Sequence, residues 1–433
     1  MLTEKHVGME KRMNDQWILP NGLRIIGERL PYLRSVSIGV WLGVGSMMEK
    51  PEENGLSHFL EHMVFKGTAK RTARQIAEEM DAVGGQLNAF TGKDCTCYYA
   101  KVIDENLPLA VDILADLTCH AVLDETELNK ERGVILEEIA MDEDSPEDLV
   151  HELLSKAQFG EQSLGMPILG PSELIEKYTR ADLATYRQKH YCPGNTVVAL
   201  AGNYDPKEVK ALVEQFFGDW SNEGCGIILP EQKPLSGVNL AKEKDTEQMH
   251  LCMGFAGTPY GGEDLYPQAV LNNVLGGAMS SRLFQRIRED LGMAYAIYTY
   301  PNSYRGCGTF AVYAGVSPKN GEKVLAEIRS EMKKLLEDGI TQKEFDASKQ
   351  QLRSGYLLGL ESPGSRMQAM GRGLLLLGKS ITPDETIARI EAVTMDHVMD
   401  KAKRILSAEP CIAVVGKGAE EMRNSECGIK CGL

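Results

Sequence analysis

The stretch LRSVSIGVWLGVGS, residues 33–46, alternates bulky apolar residues with small or polar ones. Alternation with a period of two is typical of a β-strand with one buried face. The stretch MHLCMGFAGT, residues 249–258, repeats this character in the second half of the chain, and the two align when Ser37 is matched with His250. The pair indicates that one structural unit occurs twice.

Further elements recur in the same order after these two strands. Each half continues with a helical stretch, a strand followed by a helix, and a closing helix and strand. In the second half these are LYPQAVLNNVLGG (265–277), TFAVYAGVSPKNGEKVLAEIRSEMKKLL (309–336), MDKAKRIL (399–406) and CIAVVG (411–416). Two unrelated α+β domains could share such elements, but the matched order favours duplication of one α+β unit.

The chain has 433 residues, which is too long for one compact core. A Gly- and Pro-punctuated stretch separates the two halves. We therefore expect a first domain at residues 15–222, a linker at 223–238 and a second domain at 239–433.

Charge and hydropathy exclude some classes of function. The formal net charge is -15 and the pI is about 5.2, which argues against general nucleic-acid binding. The uncharged stretch at residues 35–48 is too short to cross a bilayer, so no membrane insertion is expected. The N-terminal residues lack the apolar core of a secretory signal, which favours a cytoplasmic location.

The ten cysteines are scattered and form no CxxC pair. In a large cytoplasmic protein we expect them to be reduced thiols. Cys427 and Cys431 in the C-terminal tail could bind a metal or oxidise, but a frayed terminus is the preferred interpretation.

The stretch GLSHFLEHMVFKGT, residues 55–68, contains two histidines and a glutamate within five positions. A four-residue step returns a helix to nearly the same face, so His58 and His62 can reach one metal ion. An amphipathic core helix with one polar edge would show the same spacing. The equivalent helix of the second half, residues 269–284, contains no histidine or glutamate, which favours a function in the first half.

Catalytic zinc usually has three protein ligands and a water, so a further ligand must come from elsewhere. The helix at residues 126–144 offers the best candidate, Glu138, which lies near the apolar side of that helix. Glu131 lies two turns earlier on almost the same face, whereas Glu137 is expected on a solvated face. The apolar residues taken to mark the buried side are Leu128, Val134, Ile135 and Ile139.

With His58, His62 and Glu138 on a zinc ion, Glu61 is too close to His62 in sequence to be a comfortable fourth ligand. It is well placed to accept a proton from zinc-bound water and later to protonate the amine of a cleaved peptide. The order HxxEH is the inverse of the thermolysin-type motif.

These residues resemble the pitrilysin/insulinase family of inverted-motif zinc peptidases. The likeness is greatest to short-chain bacterial processing proteases and to the catalytic subunit of the mitochondrial processing peptidase. The family-like segments run through most of the chain: GLSHFLEHMVFKGT (55–68), GGQLNAFT (84–91), ERGVILEEI (131–139), LGMPILG (164–170), YCPGNTVVALAGNYD (191–205) and SSRLFQRIREDLGMAYAIYTY (280–300). The resemblance implies two homologous α+β domains, each a mainly antiparallel sheet packed against helices.

The resemblance also implies roles for single residues. His58, His62 and Glu138 match the ligands of one zinc ion per chain, and Glu61 matches the catalytic base. Glu131 matches a supporting acidic residue that orients the site.

The family aligns extended or unfolded peptides along an edge strand, matched here by Asn88, Ala89 and Phe90, so the peptide adds to the sheet through its backbone. Arg288 and Tyr295 match an arginine–tyrosine pair that contacts the substrate carbonyl, and such side chains can stabilise a developing oxyanion.

Without the resemblance, Arg288 is best interpreted as a helix-surface cation near Glu289 and Asp290.

Two-domain members resemble half of a closed chamber and pair with a second subunit. The Arg288 and Tyr295 pair that faces one zinc ion is then expected to come from the partner, and a homodimer would be self-sufficient. Two alternatives remain: a non-catalytic structural or assembly subunit of the same fold, or a catalytic half that needs a different partner chain.

The sequence LGGAMSSRLF, residues 275–284, has only a short Gly pair where the non-catalytic mitochondrial subunit has a glycine-rich loop, so substrate handling like that of the mitochondrial enzyme is not implied.

Overall fold

The computed structural model describes residues 14–424 except 222, 224 and 226–228. The predictions for Cys427 and Cys431 lie outside the described residues. The β-strands are β1 Asn14–Ile18, β2 Arg24–Arg29, β3 Ser35–Leu42, β4 Gln86–Thr91, β5 Thr96–Ile103, β6 Thr196–Gly202, β7 Asn239–Glu243, β8 Met249–Ala256, β9 Ala294–Ser303, β10 Gly308–Val316 and β11 Cys411–Gly416.

Fifteen α-helices lie in the described residues. Those in the first half are α1 Leu56–Val64, α2 Ala73–Ala82, α3 Leu107–His120, α4 Glu125–Asp144, α5 Pro146–Phe159, α6 Ser172–Ile175, α7 Arg180–His190 and α8 Pro206–Phe217. Those in the second half are α9 Leu265–Leu275, α10 Gly321–Asp338, α11 Gln342–Gly359, α12 Pro363–Leu377, α13 Pro383–Glu391, α14 Met395–Leu406 and α15 Ala419–Asn424.

The strands form two sheets that share the order of five strands, and the first sheet has an additional edge strand, β1. The first has the order β1-β2-β6-β3-β5-β4, and the second has the order β7-β11-β8-β10-β9. One pair in each sheet is parallel, β2 with β6 and β7 with β11, and the other pairs are antiparallel. The predicted α+β fold with two mainly antiparallel sheets is confirmed. The strands quoted first, β3 and β8, hold the same position in the two sheets.

One face of each sheet packs against helices from its own half. In the first half, Phe59 of α1 and Leu114 of α3 join Ile38 of β3 in one core. In the second half, Leu271 of α9 and Ile328 of α10 belong to the equivalent core. Burial of these apolar side chains is the main favourable contribution to folding of each half.

The other face of each sheet is covered by a helix from the opposite half. α12 of the second half places Met367 against Trp41 of β3. α5 of the first half places Leu154 in a core with Cys252 of β8. The two halves therefore exchange one helix each. The domain boundaries at 15–222, 223–238 and 239–433 stay a prediction.

The exchanged helices are fixed by close contacts at glycines. Gly371 of α12 lies so near Trp41 that a Cβ atom there would be 2.6 Å from the Trp41 Cδ1. On the other side, Gly254 of β8 would bring a Cβ within 2.7 Å of Cδ of Gln158 on α5. The backbone must approach the facing side chain at both places, which only glycine allows.

Two expectations were wrong. Cys192 and Cys225 are joined by a disulfide, so not all cysteines are reduced thiols, although six others are free. Val134 on α4 is 50% exposed, whereas Leu128, Ile135 and Ile139 are buried as predicted.

No helix in the described part of the chain is long and apolar enough to cross a membrane. A cytoplasmic location stays a prediction.

Candidate metal centre

Helix α1 begins at a glycine that has no capping side chain. Gly55, the residue before the helix, has φ 96°, and a Cβ there would lie 2.7 Å from the carbonyl oxygen of Leu169. Both features require glycine at this position. The first amide groups of the helix therefore need an acceptor from elsewhere.

The side chain of Glu49 supplies that acceptor. Its Oε1 accepts from the Ser57 amide at 2.7 Å, and its Oε2 accepts from the Gly55 amide at 2.9 Å and from Nδ2 of Asn54 at 3.0 Å. The carboxyl group is buried, and the loss of hydration raises its pKa. Sequence reasoning missed this residue, because it lies outside the usual capping position. The available signal was a glycine directly before a helix that carries polar residues.

His58 and His62 project from the same side of α1, as their spacing predicts. Their ring centroids are 4.6 Å apart. The Nε2 atoms of both rings lie 3.6 Å from Oε2 of Glu138 on α4. The ligand atoms of these three residues all lie within 4.8 Å of one another.

This arrangement fits a tetrahedral zinc ion. Ligands about 2.1 Å from such an ion at tetrahedral angles are separated by about 3.4 Å, close to the two distances from Glu138. Burial, together with the neighbouring His62, lowers the pKa of His58 to about 3. The imidazole of His58 is thus neutral near pH 7, which is the form that binds a metal.

Glu131 and Lys66 surround the far side of His62. Oε2 of Glu131 lies 3.1 Å from Nδ1 of His62, and Oε1 of Glu131 lies 2.7 Å from Nζ of Lys66. Glu131 is buried and Glu138 is partly exposed. The structure therefore brings both predicted glutamates of α4 to the histidines, whereas Glu137 is exposed as predicted.

Glu61 lies on the same helix and faces the same cleft. Burial raises the pKa of its carboxyl group, and a hydrogen bond with Thr91 at the end of β4 partly opposes that shift. Thr91 follows the predicted substrate strand directly, and sequence reasoning did not single it out.

The cleft has a volume of about 750 Å³ and is lined by residues of the first half, with Lys242 of β7 from the second half. His58, Glu61 and Glu138 form one wall, and α5, with His151 and Glu152, forms another. The helix that covers the second sheet therefore also shapes the candidate site.

Strand β4 is at the edge of the first sheet and pairs only with β5 within the described chain. The Ala89 amide donates to the side chain of Asn88 at 2.8 Å, so it is directed away from β5. Phe90 lines the cleft. β4 thus offers a free backbone edge beside Glu61.

Arg288 and Tyr295 lie together, but not at the cleft of their own chain. Arg288 is in a π-helix, Phe284–Asp290, and its Cζ lies 5.2 Å from the ring of Tyr295 on β9. Nε of Arg288 is also 3.7 Å from Glu289, as expected for a surface cation. Tyr295 is 75% exposed. β9 has the same edge position in the second sheet that β4 has in the first.

Two family descriptions match successive parts of the chain. Residues 24–172 match "Insulinase (Peptidase family M16)", and residues 177–352 match "Peptidase M16 inactive domain". His58, His62 and Glu138 lie in the first of these matches, and the second match includes the end of the first half and much of the second half.

Similar proteins cover most of the chain. An uncharacterized zinc protease of Bacillus subtilis, YmxG, is 45% identical over 93% of this chain and 98% of its own length. An uncharacterized zinc protease of Streptomyces coelicolor is 41% identical over 92% of this chain and 88% of its own length. The crystal structure of a protease from Helicobacter pylori superposes with a TM-score of 0.88 at 21% identity, covering 94% of this chain and 99% of that one. At these identities and coverages, the chain belongs to the insulinase family, peptidase family M16.

Proposed function

We propose that this protein is a zinc-dependent metalloendopeptidase that hydrolyses extended or unfolded peptides. The convergence of His58, His62 and Glu138 beside Glu61 carries the proposal. The names of the relatives as zinc proteases support zinc as the metal. We infer one ion per chain, because the described residues contain one such group of three.

A zinc ion held by these residues would polarise the scissile carbonyl and make water more acidic. Glu61 accepts the proton of the attacking water and returns it to the leaving amine nitrogen. The carboxyl group of Glu61 must bind and then release a proton, and it lines the cleft beside His58 and Glu138. Glu131 accepts a hydrogen bond from Nδ1 of His62, which leaves Nε2 free to bind the metal.

The peptide would lie along β4 as an added strand. Backbone groups at Asn88, Ala89 and Phe90 would pair with it, so recognition depends little on side chains. A folded substrate could not present a free strand to this edge, which explains a preference for extended chains.

Arg288 and Tyr295 would act in the site of a partner subunit. Within one chain they lie outside the cleft that contains Glu61, yet an arginine and a phenol can donate to a developing oxyanion. A homodimer with two composite sites would place each pair opposite the zinc of the other subunit.

The experiment that tests the peptidase activity compares Glu61→Gln with Glu137→Gln. Unstructured peptides are incubated with each protein, with and without a chelator, and products are identified by mass spectrometry. Glu61→Gln should lower the rate by roughly a hundredfold or more while zinc stays bound. Glu137→Gln, on the exposed face of α4, should behave like the wild type. Full activity in Glu61→Gln would contradict the proposal.

Mixing two inactive variants tests the composite site. In a mixed dimer of Glu61→Gln and Arg288→Ala, one site has an intact Glu61 and an intact Arg288 from its partner. Equal mixing should restore about a quarter of the wild-type rate, because half of the dimers are mixed and each has one good site. If both residues act within one chain, no activity returns.

The same proteins separate the alternatives. A structural or assembly subunit would bind no zinc and cleave no peptide. A catalytic half that needs a different chain would bind zinc but remain inactive and monomeric in sizing experiments.

A further inference from the structure

A second cavity, of about 420 Å³, lies next to the candidate cleft. It forms where the turn between β4 and β5 meets α12 of the opposite half. Phe90 and Lys93 line both the cleft and this cavity. Because Phe90 is on the free edge strand, a peptide bound along β4 would pass the entrance of the second cavity.

Aromatic side chains form much of the wall: Trp41, Phe90, Tyr260 and Tyr304. The rings of Trp41 and Phe90 meet edge to face, with centroids 5.6 Å apart. Such walls favour another aromatic ring, since edge-to-face contacts add to the free energy of burial.

Asp94 places a buried acceptor in this cavity. The residue is 3% exposed, and its Oδ1 accepts from the Arg305 amide at 3.2 Å. Its Oδ2 has no hydrogen-bond partner among the described residues. A buried oxygen without a donor costs free energy, so a ligand that donates a hydrogen bond there would be favoured.

The charged residues of the cavity wall are Lys93, Asp94 and Arg372, and the Lys93 ammonium group donates to the Met166 carbonyl. Nη2 of Arg372 lies 3.8 Å from Oδ2 of Asp94, and the guanidinium is held by stacking 4.5 Å from the ring centroid of Tyr260 and by a hydrogen bond to the Ser303 carbonyl. A cationic side chain would meet Arg372, and a carboxylate would meet Asp94. A neutral aromatic group that carries a donor avoids both repulsions.

We propose that this cavity is a specificity subsite that receives a tyrosine side chain of the peptide substrate. The ring lies among the aromatic walls, and its hydroxyl donates to Oδ2 of Asp94. The subsite rests on the proposed peptidase function, because it requires a peptide bound along β4.

The test uses one unstructured host peptide in which a single residue is tyrosine, phenylalanine or alanine, moved one position at a time. For wild-type protein, kcat/KM is measured; for Glu61→Gln, which should not cleave, binding of the same peptides is measured by fluorescence anisotropy. At one position, we expect tyrosine to exceed phenylalanine by roughly tenfold, and phenylalanine to exceed alanine by roughly tenfold.

Two variants locate this preference in the cavity. Ala369→Trp, at an exposed position of α12 that lines the cavity, should fill it and remove the preference for tyrosine and phenylalanine over alanine. Ala388→Trp, at an exposed position of α13 outside the cavity, should behave like the wild type. Asp94→Asn should reduce the advantage of tyrosine over phenylalanine without affecting that of phenylalanine over alanine.

Equal binding and cleavage of all peptides, or a preference that survives Ala369→Trp, would overturn the subsite while leaving the peptidase in place. Tyrosine-selective binding that Ala369→Trp abolishes, without metal-dependent cleavage of any peptide by the wild type, would support the subsite and overturn the peptidase function.

Discussion

Oε2 of Glu131 lies 3.1 Å from Nδ1 of His62, on the side of the ring opposite the Nε2 atom that faces Glu138. This contact fixes the orientation of the ring and determines which nitrogen carries the proton. Lys66 holds the other oxygen of the same carboxylate at 2.7 Å. The ring of His62, which projects from α1, is therefore held in place by Glu131 of α4, and Lys66 in turn holds Glu131.

Glu131→Gln should weaken zinc binding by roughly ten- to a hundredfold, because a neutral amide is a poorer acceptor for the Nδ1 proton and no longer pairs with Lys66. Competition with a chromogenic chelator measures the zinc affinity. Glu137→Gln on the same helix serves as the control. Equal zinc affinity in the two variants would exclude a supporting role for Glu131.

Glu49→Ala should destabilise the protein by about 3 kcal/mol, since the buried amides of Gly55 and Ser57 would both lose their acceptor. Glu49→Gln keeps one acceptor oxygen and should be intermediate. Urea unfolding measures the free energy. Glu52→Ala, at an exposed position nearby, should change it little. A similarly small effect of Glu49→Ala would show that α1 does not depend on this carboxylate.

Gly371→Ala should destabilise by roughly 1–3 kcal/mol, because the added methyl group would overlap Trp41 and push α12 off the first sheet. Gly355→Ala is the matched control. Nothing lies within 4 Å of a Cβ at that position on α11, so the free energy of unfolding of this variant should rise by up to about 1 kcal/mol. Thermal unfolding distinguishes the opposite signs, and a shift of the same sign in both variants would argue against tight seating of α12.

Glu344 should give the protein a pH-dependent stabilisation. A two-pronged pair with Arg282, at 2.7 and 2.9 Å, lowers the pKa of this carboxyl group from 4.5 to about 2. Because the folded pKa is depressed, the stabilisation is complete above the unfolded pKa and is lost as the pH falls through 4.5 toward about 2.

Glu344→Gln should therefore lower the free energy of unfolding by about 1–2 kcal/mol at pH 7, allowing for partial solvent screening. The difference from wild type should shrink below about pH 4.5. Urea unfolding across this range measures it, with the exposed Asp346→Asn as control. A difference that does not change with pH would mean that the ion pair is not its source.

Much of the architecture could be predicted from periodicity. A four-residue step on a helix predicts that His58 and His62 share a side, and a seven-residue step predicts the same for Glu131 and Glu138; the structure places them so. The order of elements predicted two copies of one unit, and five strands have the same order in both sheets. The catalytic and ligand roles of these residues stay predictions.

Other features depend on contacts that local patterns do not encode. Amphipathic spacing shows that α5 and α12 have an apolar side, but not which sheet that side covers. Val134 is apolar yet half-exposed, so apolar character alone does not show which side of α4 is buried. The bond between Cys192 and Cys225 depends on their proximity in space, which their separation in sequence does not reveal.

The exchange of α5 and α12 has an evolutionary consequence. Each is the last of three consecutive long helices in its own half, α3 to α5 and α10 to α12, and each covers the sheet of the other half. An ancestor that consisted of a single half could have covered its sheet in this way only with a helix from a second copy of itself. Gene duplication and fusion would then have joined a domain-swapped dimer into one chain. In the present molecule, cleavage of the backbone within residues 223–238 should leave two fragments that remain associated.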